Sequence, residues 1–207
     1  KHDPPQLTLD NSYFTDLGCE YDPACLPTEL QQLDHPIGMV REPSNVLGGL
    51  DPAYPMIVAS TVVHYGDEEF PAVYINKCLG DQYIRYVIVV EGEPRLVDSV
   101  EQMAALYAPI ESENEALSYA IATTGFSAVY DLHNFPRPKI YMNPIEETYV
   151  SEVEDAYLVH LFYTYLCGCG PHINRAVDVT VRKDGSISLS EFTEAYSDPK
   201  LDGMCVD

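Results

Sequence analysis

The chain has 207 residues, and its 33 Asp and Glu against 11 Lys and Arg give a formal net charge of −22 at pH 7. Spread over the roughly 9,700 Å² of surface expected for a folded chain of this mass, this is about one net negative charge per ~440 Å². The hydrophobic content of 46% is ordinary for a globular protein, so the charge belongs to a folded chain. The few basic residues are scattered, which excludes nucleic acids and anionic membrane surfaces as partners. No apolar run approaches the ~18 residues of a membrane span.

The N-terminal segment, residues 1–55, carries eight of the sixteen prolines. Proline removes a backbone donor and disfavours helix at the preceding residue, so we expect a mostly irregular segment with one or two helical turns near 28–33. Its apolar residues, among them Leu7, Leu9 and Phe14, predict that it packs onto a core as a wrapping extension. Residues 56–207 are predicted to form the main domain.

Apolar and β-branched runs in the main domain predict two groups of strands. The first group is expected at 56–64, 72–78, 83–91 and 95–97, with a turn at 66–69. The run 83–91 is apolar on both faces, which indicates a central position in a sheet. The second group is expected at 127–132, 139–142, 157–166, 176–182 and 186–189.

Two helices are predicted between these groups. Ser99 and Ser112 are in N-cap positions, Pro109 ends the first helix, and Gly125 is placed to cap the second. Strands, a helix pair and strands again indicate an α+β fold. We therefore predict an antiparallel sheet with two short helices on one face, preceded by the Pro-rich irregular segment.

Six cysteines permit a disulfide framework: Cys19, Cys25, Cys78, Cys167, Cys169 and Cys205. Cys19 and Cys25 flank a turn-prone stretch, and their spacing predicts a local bridge. Direct bridging of Cys167 to Cys169 would be cramped across one residue, so we expect one of them to pair with Cys78 and the other with Cys205. The alternative is six reduced cysteines in a cytosolic protein.

The start of the chain shows no apolar signal-peptide core and no initiator Met, which suggests a mature form after processing or a trimmed chain. Cysteine usage and charge favour an oxidising compartment. The expected location is extracellular or periplasmic.

The stretch from Cys167 to His172 is the most unusual local sequence. Two thiolates and an imidazole within six residues are potential ligands for Zn²⁺ or Cu(I), making Cys167, Cys169 and His172 a candidate metal site. Structural zinc sites usually space their cysteines two to four residues apart, and no second cysteine pair completes the set. Disulfides are the favoured reading, a reactive thiol or a plain loop are further alternatives, and we predict no metal or cofactor.

Residues 184–191 resemble the second half of an EF-hand loop, with Gly185 and Glu191 in the expected places. In an EF-hand loop the position of Arg182 would supply an oxygen ligand, which arginine cannot do. The preceding residues are also strand-like, where an EF-hand has a helix. We predict a hairpin turn and no Ca²⁺ site.

Tyrosine is abundant, with 16 residues, and several crowd the predicted strand 157–166. Tyr157, Tyr163 and Tyr165 alternate along it and are candidates for an aromatic binding face, although a packing role is equally consistent with the pattern. His160 in the same strand is expected to be a hydrogen-bonded histidine of the core or surface. No nucleophile elbow, phosphate-binding Gly-rich loop or His-Glu-x-x-His pair is present.

These features favour a secreted or envelope-associated, acidic, non-enzymatic domain that acts by binding a protein or small-molecule ligand. The alternatives are a small-molecule hydrolase with a carboxylate-based site, or a metal- or redox-linked protein that uses Cys167, Cys169 and His172.

Overall fold

The computed structural model describes residues 3–64, 69–78, 80–132 and 138–206. The α+β class with antiparallel strands is confirmed. The strands are divided between two principal sheets and a two-stranded ribbon, where the sequence indicated one sheet. Almost all of the predicted turn at 66–69 lies outside the described residues.

Sheet A has five antiparallel strands arranged around β4 (Gly80–Val90). On one side of β4 lies β2 (Met56–His64), followed by β1 (Met39–Arg41). On the other side β3 (Tyr74–Asn76) and β5 (Glu93–Val97) pair with successive parts of β4. Residues 83–90 of β4 are all buried, as expected of a central strand whose two faces are both covered.

Residues 12–37 of the N-terminal segment cover the outer face of sheet A, whereas β1 is part of the sheet and Leu47 and Leu50 belong to the main core. The segment contains two short helices, α1 (Ser12–Asp16) and α2 (Thr28–Gln31), and the disulfide between Cys19 and Cys25. The apolar side chains between this segment and the sheet form a separate core: Phe14, Cys19, Leu26, Leu30, Ile37, Val40, Ile57, Ala59, Val87 and Val89. The Cys19–Cys25 bridge is the pairing that the spacing predicted.

Sheet B lies later in the chain and has six antiparallel strands. In spatial order they are β6 (Lys139–Ile140), β12 (Thr193–Ser197), β10 (Ile173–Arg182), β8 (Ala156–Thr164) and β7 (Tyr149–Val153), with β11 (Ile187–Leu189) also on β10. The prediction of a strand at 127–132 is wrong, because only Ser127 of this stretch forms a β-bridge, to Phe162. The chain then turns to cover the outer face of the sheet. There the Val129 N–H donates to the Thr148 hydroxyl, and the Thr148 N–H donates to the Val129 carbonyl.

A tight turn joins β10 to β11, as predicted. The Asp184 carboxylate accepts hydrogen bonds from the Ser186 N–H at 2.9 Å and the Ser186 hydroxyl at 2.7 Å, which lowers the Asp184 pKa. Gly185 has a φ of +80°, a conformation that glycine adopts without strain. The residues before the turn belong to strand β10. An EF-hand requires a helix at this place, so the segment is not an EF-hand.

Both predicted helices are present, as α3 (Val100–Tyr107) and α4 (Glu113–Thr124). Ser99 and Ser112 accept hydrogen bonds from the N–H groups of the residues three positions on, and Gly125 caps α4 in the left-handed conformation. Helix ends leave unpaired backbone groups, and these caps satisfy some of them.

Helix α4 lies between the two sheets. The main core contains residues from sheet A, from both helices and from sheet B. The Tyr86 hydroxyl of β4 donates to the Ala122 carbonyl at 2.9 Å, and the Tyr119 hydroxyl of α4 donates to the Gly185 carbonyl at 2.9 Å. The helix is therefore attached to sheet A on one side and to the β10–β11 turn on the other.

Candidate binding cleft

The two sheets meet where β3 and β8 end. Cys78 follows β3 and Cys167 follows β8, and the two form a disulfide with a Cα–Cα distance of 5.3 Å. This bridge joins the ends of the sheets across 89 residues of sequence. Such a long-range bridge stabilises the fold chiefly by reducing the chain entropy of the unfolded state, and it keeps the two sheet ends together.

A second disulfide lies beside the first. Cys169 and Cys205 are direct partners in the ribbon formed by β9 (Gly168–Cys169) and β13 (Cys205–Val206), with a Cα–Cα distance of 4.0 Å. The Met204 carbonyl accepts the Gly170 N–H and lies 3.1 Å from Nε2 of His172. The ribbon thus fastens the C-terminal residues to the end of sheet B.

Two adjoining cavities occupy this junction and share Asn76, Tyr163, Thr164 and Leu166; together they are called the cleft below. The disulfide cavity has a volume of about 580 Å³ and is also lined by Val62, His64, Lys77, Cys78, Gly80, Gln82, Tyr165 and Val206. The aromatic cavity has a volume of about 450 Å³ and is also lined by Ile75, Thr124, Gly125, Phe126, Ser127, Val129, Phe162, His172, Asn174, Tyr196, Asp198 and Leu201.

Large apolar side chains around the cleft are unusually exposed. Val62 is 54% exposed, Leu166 46% and Tyr165 45%, and all three line the disulfide cavity. Single exposed apolar residues are common, whereas several that line one concave surface are typical of an interaction site. The three come from β2 and from the residues just after β8, so only the fold brings them together.

An aromatic cluster adjoins the aromatic cavity. The rings of Phe126, Tyr163 and Phe192 lie in mutual contact, with centroid distances of 5.5 to 5.8 Å. Burial raises the pKa of the Tyr163 phenol, Tyr165 adds to the rise, and Arg175 opposes it. The Tyr163 hydroxyl is therefore a neutral hydrogen-bonding group at physiological pH.

The polar side chains of the cleft are partly engaged with one another. The Thr164 hydroxyl donates to the Asn174 side-chain oxygen, and the Asn174 amide donates to the Tyr196 carbonyl at 3.4 Å. Gln82 donates to Ser60 at 3.3 Å. These bonds hold the cleft wall in one arrangement, as a preformed site requires.

The structure separates the three candidate tyrosines. Tyr163 and Tyr165 line the cleft, whereas Tyr157 is 3% exposed in the main core and does not reach it. The pleat places all three on one face, so position along the strand makes the difference: Tyr157 lies near the opposite end of β8, where helix α4 covers the inner face. How exposed a strand residue is depends on the layer packed against it, and the sequence pattern does not reveal that layer.

The candidate metal ligands are engaged in other bonds. Cys167 and Cys169 belong to disulfides, so neither supplies a thiolate, and His172 is buried against Met204. Among the described residues, no group of three or more His, Cys, Asp or Glu is arranged to hold a metal ion.

A histidine–aspartate pair lies on the outer face of sheet B. Nδ1 of His160 is 2.6 Å from the Asp178 carboxylate, and the imidazole stacks on Tyr149 with a centroid distance of 5.2 Å. Nε2 of His160 is buried and has no hydrogen-bond partner among the described residues. Neither residue lines a cleft cavity, and the prediction of a hydrogen-bonded histidine is confirmed.

Two carboxylates in the described part of the chain are buried, and both accept backbone hydrogen bonds. Glu115 accepts the Glu111 N–H at 2.8 Å and Glu147 accepts the Leu132 N–H at 3.1 Å. Each thereby satisfies a backbone donor in its own part of the fold.

The comparisons with known proteins leave the cleft to be interpreted from its own chemistry. No protein-family model matches the chain, and neither a curated protein nor a solved structure matches it. No helix in the described residues is long and apolar enough to cross a membrane. The three disulfides indicate an oxidising, extracytoplasmic environment.

Proposed function

We propose that this protein is a secreted or envelope-associated binding domain that acts by contact rather than by catalysis, with the cleft as its ligand-binding surface. The observation that carries the proposal is the group of exposed apolar side chains that line the disulfide cavity: Val62, Tyr165 and Leu166. Leaving them exposed costs solvation free energy that a ligand would recover on binding.

The two disulfides beside the cleft support the same proposal. Cys78–Cys167 and Cys169–Cys205 lie at the cleft, whereas Cys19–Cys25 closes a local loop elsewhere. A binding surface held rigid loses less entropy when it engages a ligand, which favours affinity.

The rival functions have less support. A carboxylate-based hydrolase uses a pair of acid groups that face one site, but Asp198 is the single carboxylate among the described residues that line the two cleft cavities. A metal- or thiol-based function needs free cysteines, and Cys167 and Cys169 are oxidised.

The cleft is tested with the neutral dye Nile red, whose fluorescence reports binding to apolar surfaces. Replacing Tyr165 and Leu166 together by serine should weaken dye binding by about fivefold or more, because two apolar contacts are lost. Leu189→Ser is the matched control, since Leu189 is also 46% exposed but lies on β11, away from both cavities. Equal weakening by the control, or none by the double variant, would count against the cleft.

The compartment is tested separately. Mass spectrometry of the protein, purified without reductant from its native host, should find no free thiol among the six cysteines. Six free thiols would overturn the extracytoplasmic assignment.

A further inference from the structure

The aromatic cavity has an unusual combination of rings and charge. Phe126 and Tyr163, whose ring centroids are 5.6 Å apart, line it, and Asp198 contributes a carboxylate. None of its described lining residues is Lys or Arg, and the lining residue His172 is buried with Nε2 3.1 Å from the Met204 carbonyl. Arg175 lies opposite Tyr163 in the strand ladder, but Glu194 flanks it on β12 and neither lines the cavity.

The end of helix α4 adds a second source of negative potential. Thr124 and Gly125, the last residue and the C-cap of the helix, both line the cavity. Backbone dipoles give a helix C-terminus a partial negative charge, which favours a cation there. Among the described residues, the Asp198 carboxylate accepts the Lys200 N–H, at 3.0 Å, and a carboxylate with one such bond keeps lone pairs for a ligand.

The charge of the whole protein acts in the same direction. With a net charge of −22, the protein attracts small cations and repels small anions. Aromatic faces attract organic cations through their quadrupoles, most strongly when the cation leaves water. The volume of about 450 Å³ accommodates a small organic molecule.

We propose that the aromatic cavity binds a small organic cation, a molecule with an ammonium or quaternary ammonium group that lies between the aromatic rings and Asp198. This inference rests on the proposed function, because it names the ligand class of one part of the cleft. Lys77 lines only the adjoining disulfide cavity, so its charge disfavours a cation in that cavity rather than in the aromatic one.

The test compares choline with 3,3-dimethyl-1-butanol, a neutral isostere in which carbon replaces the quaternary nitrogen. Calorimetry on the full chain at low ionic strength should give millimolar or tighter binding for choline and about tenfold weaker binding for the alcohol. Asp198→Asn should weaken choline binding about fivefold or more while keeping the oxygen that accepts the Lys200 N–H. Phe126→Leu, a second variant, should have a similar effect.

Asp202→Asn is the matched control, because it removes the same charge from the same segment at an exposed position that does not line the cavity. If Asp202→Asn weakened choline binding as much as Asp198→Asn does, the binding would be non-specific counterion binding and the inference would be overturned. Equal or tighter binding of the alcohol, or no choline binding, would also overturn it. In either case the proposed function stands if the Tyr165 and Leu166 variant still weakens Nile red binding, and fails if that variant has no effect.

Discussion

The outer faces of the two sheets are covered in different ways. The N-terminal segment encloses the outer face of sheet A, where an apolar core surrounds the buried guanidinium of Arg85. The outer face of sheet B has a smaller apolar cluster around Phe162. Beside it His160 is buried, whereas its partner Asp178 reaches solvent, with its side chain 35% exposed. The partners of a polar group on a sheet face therefore depend on what covers that face. Arg85 depends on partners inside the protein, and its buried Nε has none among the described residues, whereas Asp178 keeps contact with water.

Arg85 shows what complete cover requires. Its guanidinium donates to the carbonyls of His35 and Pro36 and to the Thr61 hydroxyl, at 2.8 to 3.1 Å, and lies 5.0 Å from the centre of the Phe70 ring. Burial lowers the pKa of Arg85, and Asp98 opposes the change. The guanidinium remains charged, because arginine titrates far above neutral pH.

The largest expected effect comes from removing the cover of sheet A. Phe14→Ala should lower the free energy of unfolding by about 3–5 kcal/mol, because Phe14 is fully buried in the core beneath the N-terminal segment. Chemical denaturation measures the change. Leu17→Ala, at an exposed position just after the same helix, should cost less than about 0.5 kcal/mol. Equal costs would mean that the segment packs loosely on the sheet.

The next effect concerns the buried guanidinium. Arg85→Met should cost about 2–3 kcal/mol, because the carbonyls of His35 and Pro36 lose their donor in a buried site. Arg95→Met removes the same charge from an exposed position on β5 and serves as the control in the same denaturation assay. A stabilising Arg85→Met would show that packing outweighs the hydrogen bonds at this position.

A smaller cost is expected on sheet B. Asp178→Ala leaves Nδ1 of His160 without its partner, yet water reaches the position, so we expect a loss of about 1 kcal/mol. Asp155→Ala, at an exposed turn residue, is the control. If Asp178→Ala cost as much as Arg85→Met, the contrast between the two outer faces would fail.

Glu115, between the two sheets, provides a pH test. Burial raises the pKa of Glu115, so the ionised carboxylate destabilises the fold. This cost is fully present above the folded-state pKa, decreases as pH falls through that pKa, and is gone below the lower, unfolded-state pKa. Glu115→Gln, which keeps an oxygen for the Glu111 N–H, should be more stable than the wild type at pH 7 by less than about 1 kcal/mol. The advantage should shrink by pH ~4.5, near the unfolded-state value. Glu113→Gln at an exposed position should show no such gain, and a Glu115→Gln advantage that grows at low pH would contradict the assignment.

Salt should have the mildest effect. Like charges repel across the folded surface, and a Debye length of about 8 Å at 0.15 M screens much of that repulsion. We expect the melting temperature to rise between ~10 and ~300 mM NaCl, and to rise again as pH falls from 8 towards 5.5, because both changes weaken carboxylate repulsion. The 11 basic residues cannot neutralise 33 acids. A flat or falling melting temperature in a scanning calorimeter would indicate balanced or cation-bound acids.

The sequence predicted those features of the fold that depend on residues close together in the chain: helix caps, a tight turn and one disulfide. Ser99 and Ser112 cap their helices through bonds three residues away, and Gly185 makes its turn within the β10–β11 hairpin. Cys19 and Cys25 are close enough in the chain for spacing alone to indicate their bridge. Such features need no knowledge of distant residues.

The tertiary structure alone decided the binding surface and the number of sheets. Tyr157 and Tyr163 look alike in the sequence, yet helix α4 buries the first and the junction of the sheets leaves the second in the cleft. The choice between Cys167 and Cys169 as partner of Cys78 depended on which chain ends the fold brings together. Side-chain periodicity records which face of a strand is apolar, but the layer that covers this face comes from residues far away in the chain.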